Sequence, residues 1–371
     1  MRNMSIARSL IAIVLLFFSL ILSSCVFPTM GLKTPSQIPP VTVTEPTTII
    51  GSATSVLQIY FTDPTAQRAK DYEGGPDENL AAAINQARLS VDLAAYSFNL
   101  WSIRDALIHA HQRGVVVRMV MESDNMDSQE VQQIKDAGIP IIGDQHEGLM
   151  HNKFVVIDRS MVWTGSMNFT VGGTYRDNNN FVRIQSSKVA ENYSSEFEEM
   201  FTHHLFGPDV ITNTPDPNLT IDETTFEIYF SPDDKVAARI VALIQGAQES
   251  INFMAYVFTS NDIGNAIIQQ AQVGVSVAGV MDASQATSSQ GSEYDPFKQA
   301  GLDVRLSGNQ DGLMHHKVII IDRKIVITGS YNFTASAEES NDENVVIIFS
   351  PVVAAKYMEE FQHVYEQAQQ P

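Results

Sequence analysis

Thiols are almost missing from this chain. Of its 371 residues only Cys25 is a cysteine, so no internal disulfide staples the fold. Positive charge is scarce as well: Lys and Arg number 23 against 43 Asp and Glu, a formal net charge of −20. The longest basic run is the pair Arg323-Lys324. Proteins that track a nucleic-acid backbone usually carry a basic patch or stripe, because phosphate neutralisation dominates their affinity. The composition therefore predicts no stable nucleic-acid partner. Low complexity is absent too, since 44% hydrophobic and 18% charged residues describe a folded globular chain. Its length suits two ordinary domains.

The long apolar run is also short of a membrane span. Arg2 and Arg8 precede "LIAIVLLFFSLIL" at Leu10–Leu22, and "LSSC" ends at Cys25. A spanning helix needs about 20 apolar residues, whereas a basic start, a shorter apolar core and small residues make a secretory signal. An uncleaved anchor helix is the competing reading. Leu22-Ser23-Ser24-Cys25 resembles the bacterial lipoprotein signal, which implies cleavage before a lipid-modified Cys25. The expectation is residues 1–25 as signal, export, and a lipid anchor holding the protein on the outer face of a bacterial membrane. Residues 26–55, rich in Pro and Thr up to Ile50, read as an extended tether.

What the chain does have is a repeat. "MHNKFVVIDRSMVWTGSMNF" at Met150–Phe169 returns as "MHHKVIIIDRKIVITGSYNF" at Met314–Phe333, with His315 following His151 by 164 positions. "LQIYF" at Leu57–Phe61 is echoed by "FEIYF" at Phe226–Phe230, and "DLAAYSF" at Asp92–Phe98 by "NFMAYVF" at Asn252–Phe258. Units this large are duplicated lobes rather than a solenoid of short repeats. Within each, β-branched runs alternate with segments of helical spacing, such as "NLWSIRDALIHAHQRG" closed by Gly114. This predicts an α/β fold: two similar lobes, each a mostly parallel sheet flanked by helices, related by a pseudo-two-fold axis. The expected boundaries are 56–207 for lobe 1, a Pro-containing linker at 208–222, and 223–371 for lobe 2.

Read as strands, the repeated blocks sort their side chains by parity. His151 and Lys153 share a face, as do His315 and Lys317, while Asp158 and Asp322 lie seven residues past the histidine and turn away. The pattern expects imidazole and ammonium together in a site, with each aspartate in a structural role. Gly165-Ser166 and Gly329-Ser330 suit close backbone approach, and Asn168 and Asn332 add amide donors. A lysine charge with Ser and Asn donors can hold the non-bridging oxygens of a phosphate. One imidazole can attack phosphorus, and a second, protonated imidazole can serve the leaving oxygen. Each motif supplies one histidine, so two lobes supply both. Tyr96 and Tyr256, at equivalent positions, either line the cleft or pack in the core. His109, His111, His203 and His204 read as helix-surface or near-loop residues. His109 and His111 do not share a helix face, so no metal site is expected.

The complete H-x-K-x4-D-x6-G-S-x-N pattern at His151–Asn168 and at His315–Asn332 resembles the signature of the phospholipase D superfamily. "FTASAEESNDEN" at Phe333–Asn344 is similar to the bacterial nuclease and phospholipase-D-like branch, where a glutamate at the position of Glu343 orients the motif histidine. The resemblance spans about residue 55 to the C-terminus. It implies a phosphodiesterase without metal or other cofactor, acting through a covalent phosphohistidine at the lobe interface. By alignment, Asn179 stands where the second repeat has Glu343. A carboxylate beside His315 and an amide beside His151 would make His315 the general acid and His151 the nucleophile. The expected reaction is phospholipase D-type hydrolysis of a phospholipid head-group phosphodiester, with no protein partner predicted. An extracytoplasmic nuclease is the alternative. A phosphatidyl transferase of the cardiolipin-synthase type and a non-catalytic binding module stand behind it.

Overall fold

The computed structural model describes residues 56–368. The expected signal peptide, Cys25 and the tether all lie outside the described residues.

Val-, Ile- and aromatic-rich runs form the strands, as β-branched side chains fit a pleated buried surface. Lobe 1 carries β1 (Leu57–Phe61), β2 (Ser90–Ala95), β3 (Val116–Met121), β4 (Ile141–Gly143), β5 (Lys153–Ile157), β6 (Met161–Gly165) and β7 (Asn180–Gln185). Lobe 2 carries β8 (Asn218–Ile221), β9 (Thr224–Ser231), β10 (Ser250–Ala255), β11 (Ser276–Met281), β12 (Asp303–Leu306), β13 (Lys317–Ile321), β14 (Ile325–Gly329) and β15 (Glu343–Phe349). Their sheet orders are β1-β7-β6-β5-β2-β3-β4 and β12-β11-β10-β13-β14-β15-β9-β8.

The α/β class and the paired lobes are as expected, but the sheets are mixed rather than mostly parallel. Among the described strands, only β2–β3, β3–β4, β10–β11 and β11–β12 pair in parallel. Those connections cross over through helices, as parallel neighbours require. The motif strands instead fold back as tight hairpins: Asp158 and Arg159 both have φ 52°, and Asp322 and Arg323 have φ 52° and 53°. The two left-handed residues head a three-residue loop, 158–160 or 322–324, in which Ser160 N donates to the Ile157 carbonyl and Lys324 N to the Ile321 carbonyl.

The linker is also shorter than expected. Residues 218–221 form edge strand β8, paired antiparallel with β9 through a turn at Asp222 and Glu223, φ 46° and 64°. No glycine marks the turn, so this hairpin reads as linker in sequence.

Helix Trp101–Gln112 shows how the lobes close outward. It buries Ile103, Ala106, Leu107 and Ala110 at helical spacing and stops where Gly114 takes φ 90°. On the inner faces, the closing helices Ser187–His203 and Pro351–Gln367 contribute to one apolar cluster that both lobes share. It includes Phe154, Tyr193, Phe197 and Phe230 together with Val318, Ile320, Tyr357 and Phe361. Removing any of these buried aromatic rings costs about 3–5 kcal/mol.

The seam between lobes is reciprocal, as a two-fold arrangement demands. Met150 bridges Asp342, and Asn178 bridges Met314. Thr164 Oγ1 and Tyr193 OH donate to Asn344 Oδ1, while Thr328 Oγ1 and Tyr357 OH donate to Asn180 Oδ1. Every residue in one set has its counterpart 164 positions along in the other.

Candidate active site

Each motif histidine sits just before the hairpin strand that carries its lysine, and a carboxylate fixes that entry. Glu122, after β3, accepts the Met150 N–H at 3.0 Å, and Asp282, after β11, accepts the Met314 N–H at 3.0 Å. The histidines are 6% and 4% exposed and both lysines are buried, so the site is almost sealed by protein. Lys153 Nζ donates to the His151 carbonyl at 2.6 Å and Lys317 Nζ to the His315 carbonyl at 2.9 Å. Tyr96 packs on His151 with ring centroids 4.8 Å apart, and Tyr256 on His315 at 4.6 Å. The lysine ammoniums lie 5.0 and 4.8 Å from those same tyrosine rings. Both tyrosines therefore line the site.

The aspartates point elsewhere. Asp158 accepts backbone N–H groups of Arg88, Leu89 and Ser90 at 2.7–3.1 Å. Asp322 does the same for Gln248, Glu249 and Ser250 at 2.7–3.0 Å. These contacts tie the hairpin turn to the start of the neighbouring strand.

Beyond β6 and β14, Gly165 and Gly329 pass so close to the carbonyls of Asn180 and Asn344 that a Cβ would collide. Short helices follow, capped by Thr170 accepting from Gly173 N at 2.9 Å and Thr334 from Ala337 N at 3.1 Å. They turn the chain back toward the seam. Ser166 Oγ donates to Asn179 Oδ1 at 2.8 Å. Ser330 Oγ accepts from the Asn344 N–H at 3.0 Å, and its hydroxyl pulls the Glu343 pKa down. The Oδ1 atoms of Asn168 and Asn332 are buried without a hydrogen-bond partner.

The partners of the histidines correct the pairing expected from sequence. Both Glu343 oxygens lie 2.8 Å from Nδ1 of His151, not of His315. Asn179 Oδ1 lies 2.9 Å from Nδ1 of His315. The backbone bridges explain the exchange: the segment entering β7 pairs with residues before His315, and the segment entering β15 pairs with residues before His151. Each buttress thus serves the opposite lobe. Alignment within one repeat could not reveal this, because it compares positions and not contacts.

Burial, with the charges of Lys153 and Lys317, holds His151 well below its usual pKa. His315 is lowered by burial and the same two lysines, with smaller contributions from His151 and His316. Burial lowers Lys153 to about 7, against an opposing pull from Glu343, and holds Lys317 well below the lysine range. Glu343 is pushed up to about 8 by burial although both lysines pull it down. The site is a dry cluster of potential cations around one carboxylate. An entering phosphodiester anion reverses this balance by favouring the charged lysines.

Sequence reasoning also missed Asn180, Asn344 and His316, which join the buttresses to the lobe interior. Asn180 and Asn344 end the aligned "DNNN" and "NDEN" stretches, so their recurrence at the same offset was a usable signal. Of the six remaining histidines, His109, His203, His204 and His363 are exposed and His111 and His146 are partly so.

Residues 80–201 and 240–365 match the family model described as "Cardiolipin synthase, PLD-like domain". The chain is 31% identical over 209 residues to a protein named phospholipase D from Rickettsia prowazekii, covering 56% of this chain and 91% of that one. It is 31% identical over 134 residues to the mitochondrial cardiolipin hydrolase of Xenopus laevis, covering 36% of this chain and 63% of the relative's length. The solved phosphatidylserine synthase of Haemophilus influenzae superposes with a TM-score of 0.64 at 15% identity, covering 84% of this chain and 87% of that one. That likeness is one of fold.

Proposed function

This chain belongs to the phospholipase D superfamily, and we propose that it is a phosphodiesterase hydrolysing the head-group bond of phospholipids through a phosphohistidine. The observation that carries the reading is the convergence of two His–Lys pairs on one buried site with a single carboxylate behind one of them.

His151 is the nucleophile in this reading, for a reason opposite to the one sequence offers. Attack by neutral Nε2 leaves positive charge on the ring, and Glu343 at Nδ1 holds the attacking tautomer and stabilises that charge. The bound phosphodiester anion offsets the lysine charges that lower His315, so that His315, with its Nδ1 on the Asn179 oxygen, takes up a proton on Nε2 and gives it to the leaving oxygen. The His151–phosphorus bond forms as the phosphorus–alcohol bond breaks. Water then attacks phosphorus, His315 takes its proton, and the His151–phosphorus bond breaks to release phosphatidic acid. Lys153, Lys317, Asn168 and Asn332 hold the non-bridging oxygens, where fixed charge in a dry site acts strongly.

A lipid substrate is favoured by the net charge of −20 and the lack of basic runs, which repel a polyanion. A lipidated Cys25 on the outer face of the cell membrane would keep the site beside that substrate. The test incubates the protein with phosphatidylcholine vesicles and with single-stranded DNA, each with EDTA. The expected result is choline release, reduced at least about 10⁴-fold in His151→Ala, with label from the phosphate trapped on His151. DNA cleavage without choline release overturns the lipid reading, and label on His315 overturns the nucleophile.

A further inference from the structure

Behind each catalytic histidine runs a hydrogen-bonded arm that crosses the lobe seam twice. In the arm to His151, Glu196 accepts from Asn152 Nδ2 at 3.0 Å, and Asn152 Oδ1 accepts from Asn344 Nδ2 at 2.9 Å. Asn344 donates its backbone N–H to Ser330 Oγ at 3.0 Å, the Ser330 hydroxyl favours the ionised form of Glu343, and Glu343 meets His151. In the arm to His315, Glu360 meets His316 Nε2 at 3.1 Å, and His316 Nδ1 lies 3.2 Å from Asn180 Nδ2. Asn180 donates its backbone N–H to Ser166 Oγ at 3.1 Å, and Ser166 donates to Asn179, which meets His315.

The arms carry the same residue at each link except two: Glu343 faces His151 where Asn179 faces His315, and Asn152 stands in one arm where His316 stands in the other. Both side chains offer an acceptor to an asparagine amide and a donor to a carboxylate. Asn180 Nδ2 can only donate, and Thr328 and Tyr357 hydroxyls at 2.7 and 3.1 Å occupy its oxygen, so the amide cannot turn without losing both. His316 must therefore keep Nδ1 bare and carry its proton on Nε2 toward Glu360. Asn152 and His316 are wholly buried, and no substrate reaches either.

We propose that His316 is a positioning residue for His315: as the Nε2–H tautomer it fixes Asn180, and through Ser166 and Asn179 it sets the aim of the acid. This rests on reading His315 as the general acid. A misaimed acid matters only when the leaving oxygen needs a proton. Phosphatidylcholine releases an alkoxide that does; phosphatidyl-p-nitrophenol releases a stable phenolate that does not.

The experiment compares both substrates in His315→Ala, His316→Leu, His316→Asn and Glu360→Ala. Glu360 is near the surface end of the arm, so its variant remains informative if His316→Leu does not fold. The expected result is that His316→Leu and Glu360→Ala lower kcat for phosphatidylcholine about 10–100-fold with KM and the nitrophenyl rate nearly unchanged. His316→Asn, which installs the other arm's side chain, restores most of the activity. Equal loss on both substrates, or none on either, overturns the positioning role while a leaving-group-selective His315→Ala keeps the acid assignment. Equal loss on both substrates in His315→Ala removes the acid assignment and the arm's purpose with it.

Discussion

Lobe 1 and lobe 2 present the same atoms at most positions of their seam but not the same charges. At 179 and 343 an amide faces a carboxylate; at 177 and 341, and at 178 and 342, the exchange recurs between Asp and Asn. Hydrogen-bond geometry survives the exchange at 177 and 341. Asp177 Oδ1 accepts from Leu313 N at 2.9 Å, and its counterpart Asn341 Oδ1 accepts from Leu149 N at 3.1 Å. The shared backbone frame fixes where a group stands, and single substitutions of similar shape then decide its charge. Division of labour between two histidines needs no more than that.

The sharpest way to break the comparison is to erase it at the buttresses. Glu343→Gln keeps the shape but removes the charge behind His151, and kcat should fall about 10²–10⁴-fold with KM little changed in steady-state assays. Asn179→Asp does the reverse for His315. The new carboxylate favours the imidazolium and raises its pKa, so the alkaline limb of the pH–kcat profile should move upward with less than about tenfold change at the optimum. A Glu343→Gln enzyme of wild-type rate would show that the lobes do not differ in function.

A smaller effect separates the structural motif residues from the chemical ones. Asp158→Ala or Asp322→Ala strands three backbone N–H groups, and urea melts should show a loss of about 1–3 kcal/mol each. Activity per folded molecule should stay near wild type, and a collapse of kcat in the folded variants would give the aspartates a chemical role.

The smallest effect sharpens the Asp/Asn exchange. Burial raises Asp177 to about 6 from its ordinary 3.8. Between those values the folded state binds more protons than the unfolded one, so this group's contribution to stability falls as pH rises from about 4 to 6. Asp177→Asn, which copies lobe 2, should retain the Leu313 bond and gain about 1–3 kcal/mol at pH 7, with little gain at pH 4. Denaturation at both pH values checks the sign.

Much of this was legible in advance because it follows from period and repetition. The parity of His151, Lys153 and Asp158 holds in any extended strand, and the 164-residue offset announces two lobes. The edge strand at Asn218–Ile221 was not legible, because the left-handed residues of its hairpin turn are Asp222 and Glu223 rather than glycine. The crossed buttresses were invisible for a deeper reason. Which lobe a side chain serves is settled by inter-lobe backbone pairing, and that leaves no local trace in the sequence.

The crossing has a consequence for how such a site diversifies. A self-pairing single lobe would present the same buttress residue to both of its histidines, because one codon specifies both copies. Changing Asn to Glu there would alter nucleophile and acid together. Joining two lobes in one chain uncouples them, so Glu343 and Asn179 can be selected separately although each acts on its sibling's histidine. Covalent fusion here is what lets a twofold design become chemically one-handed.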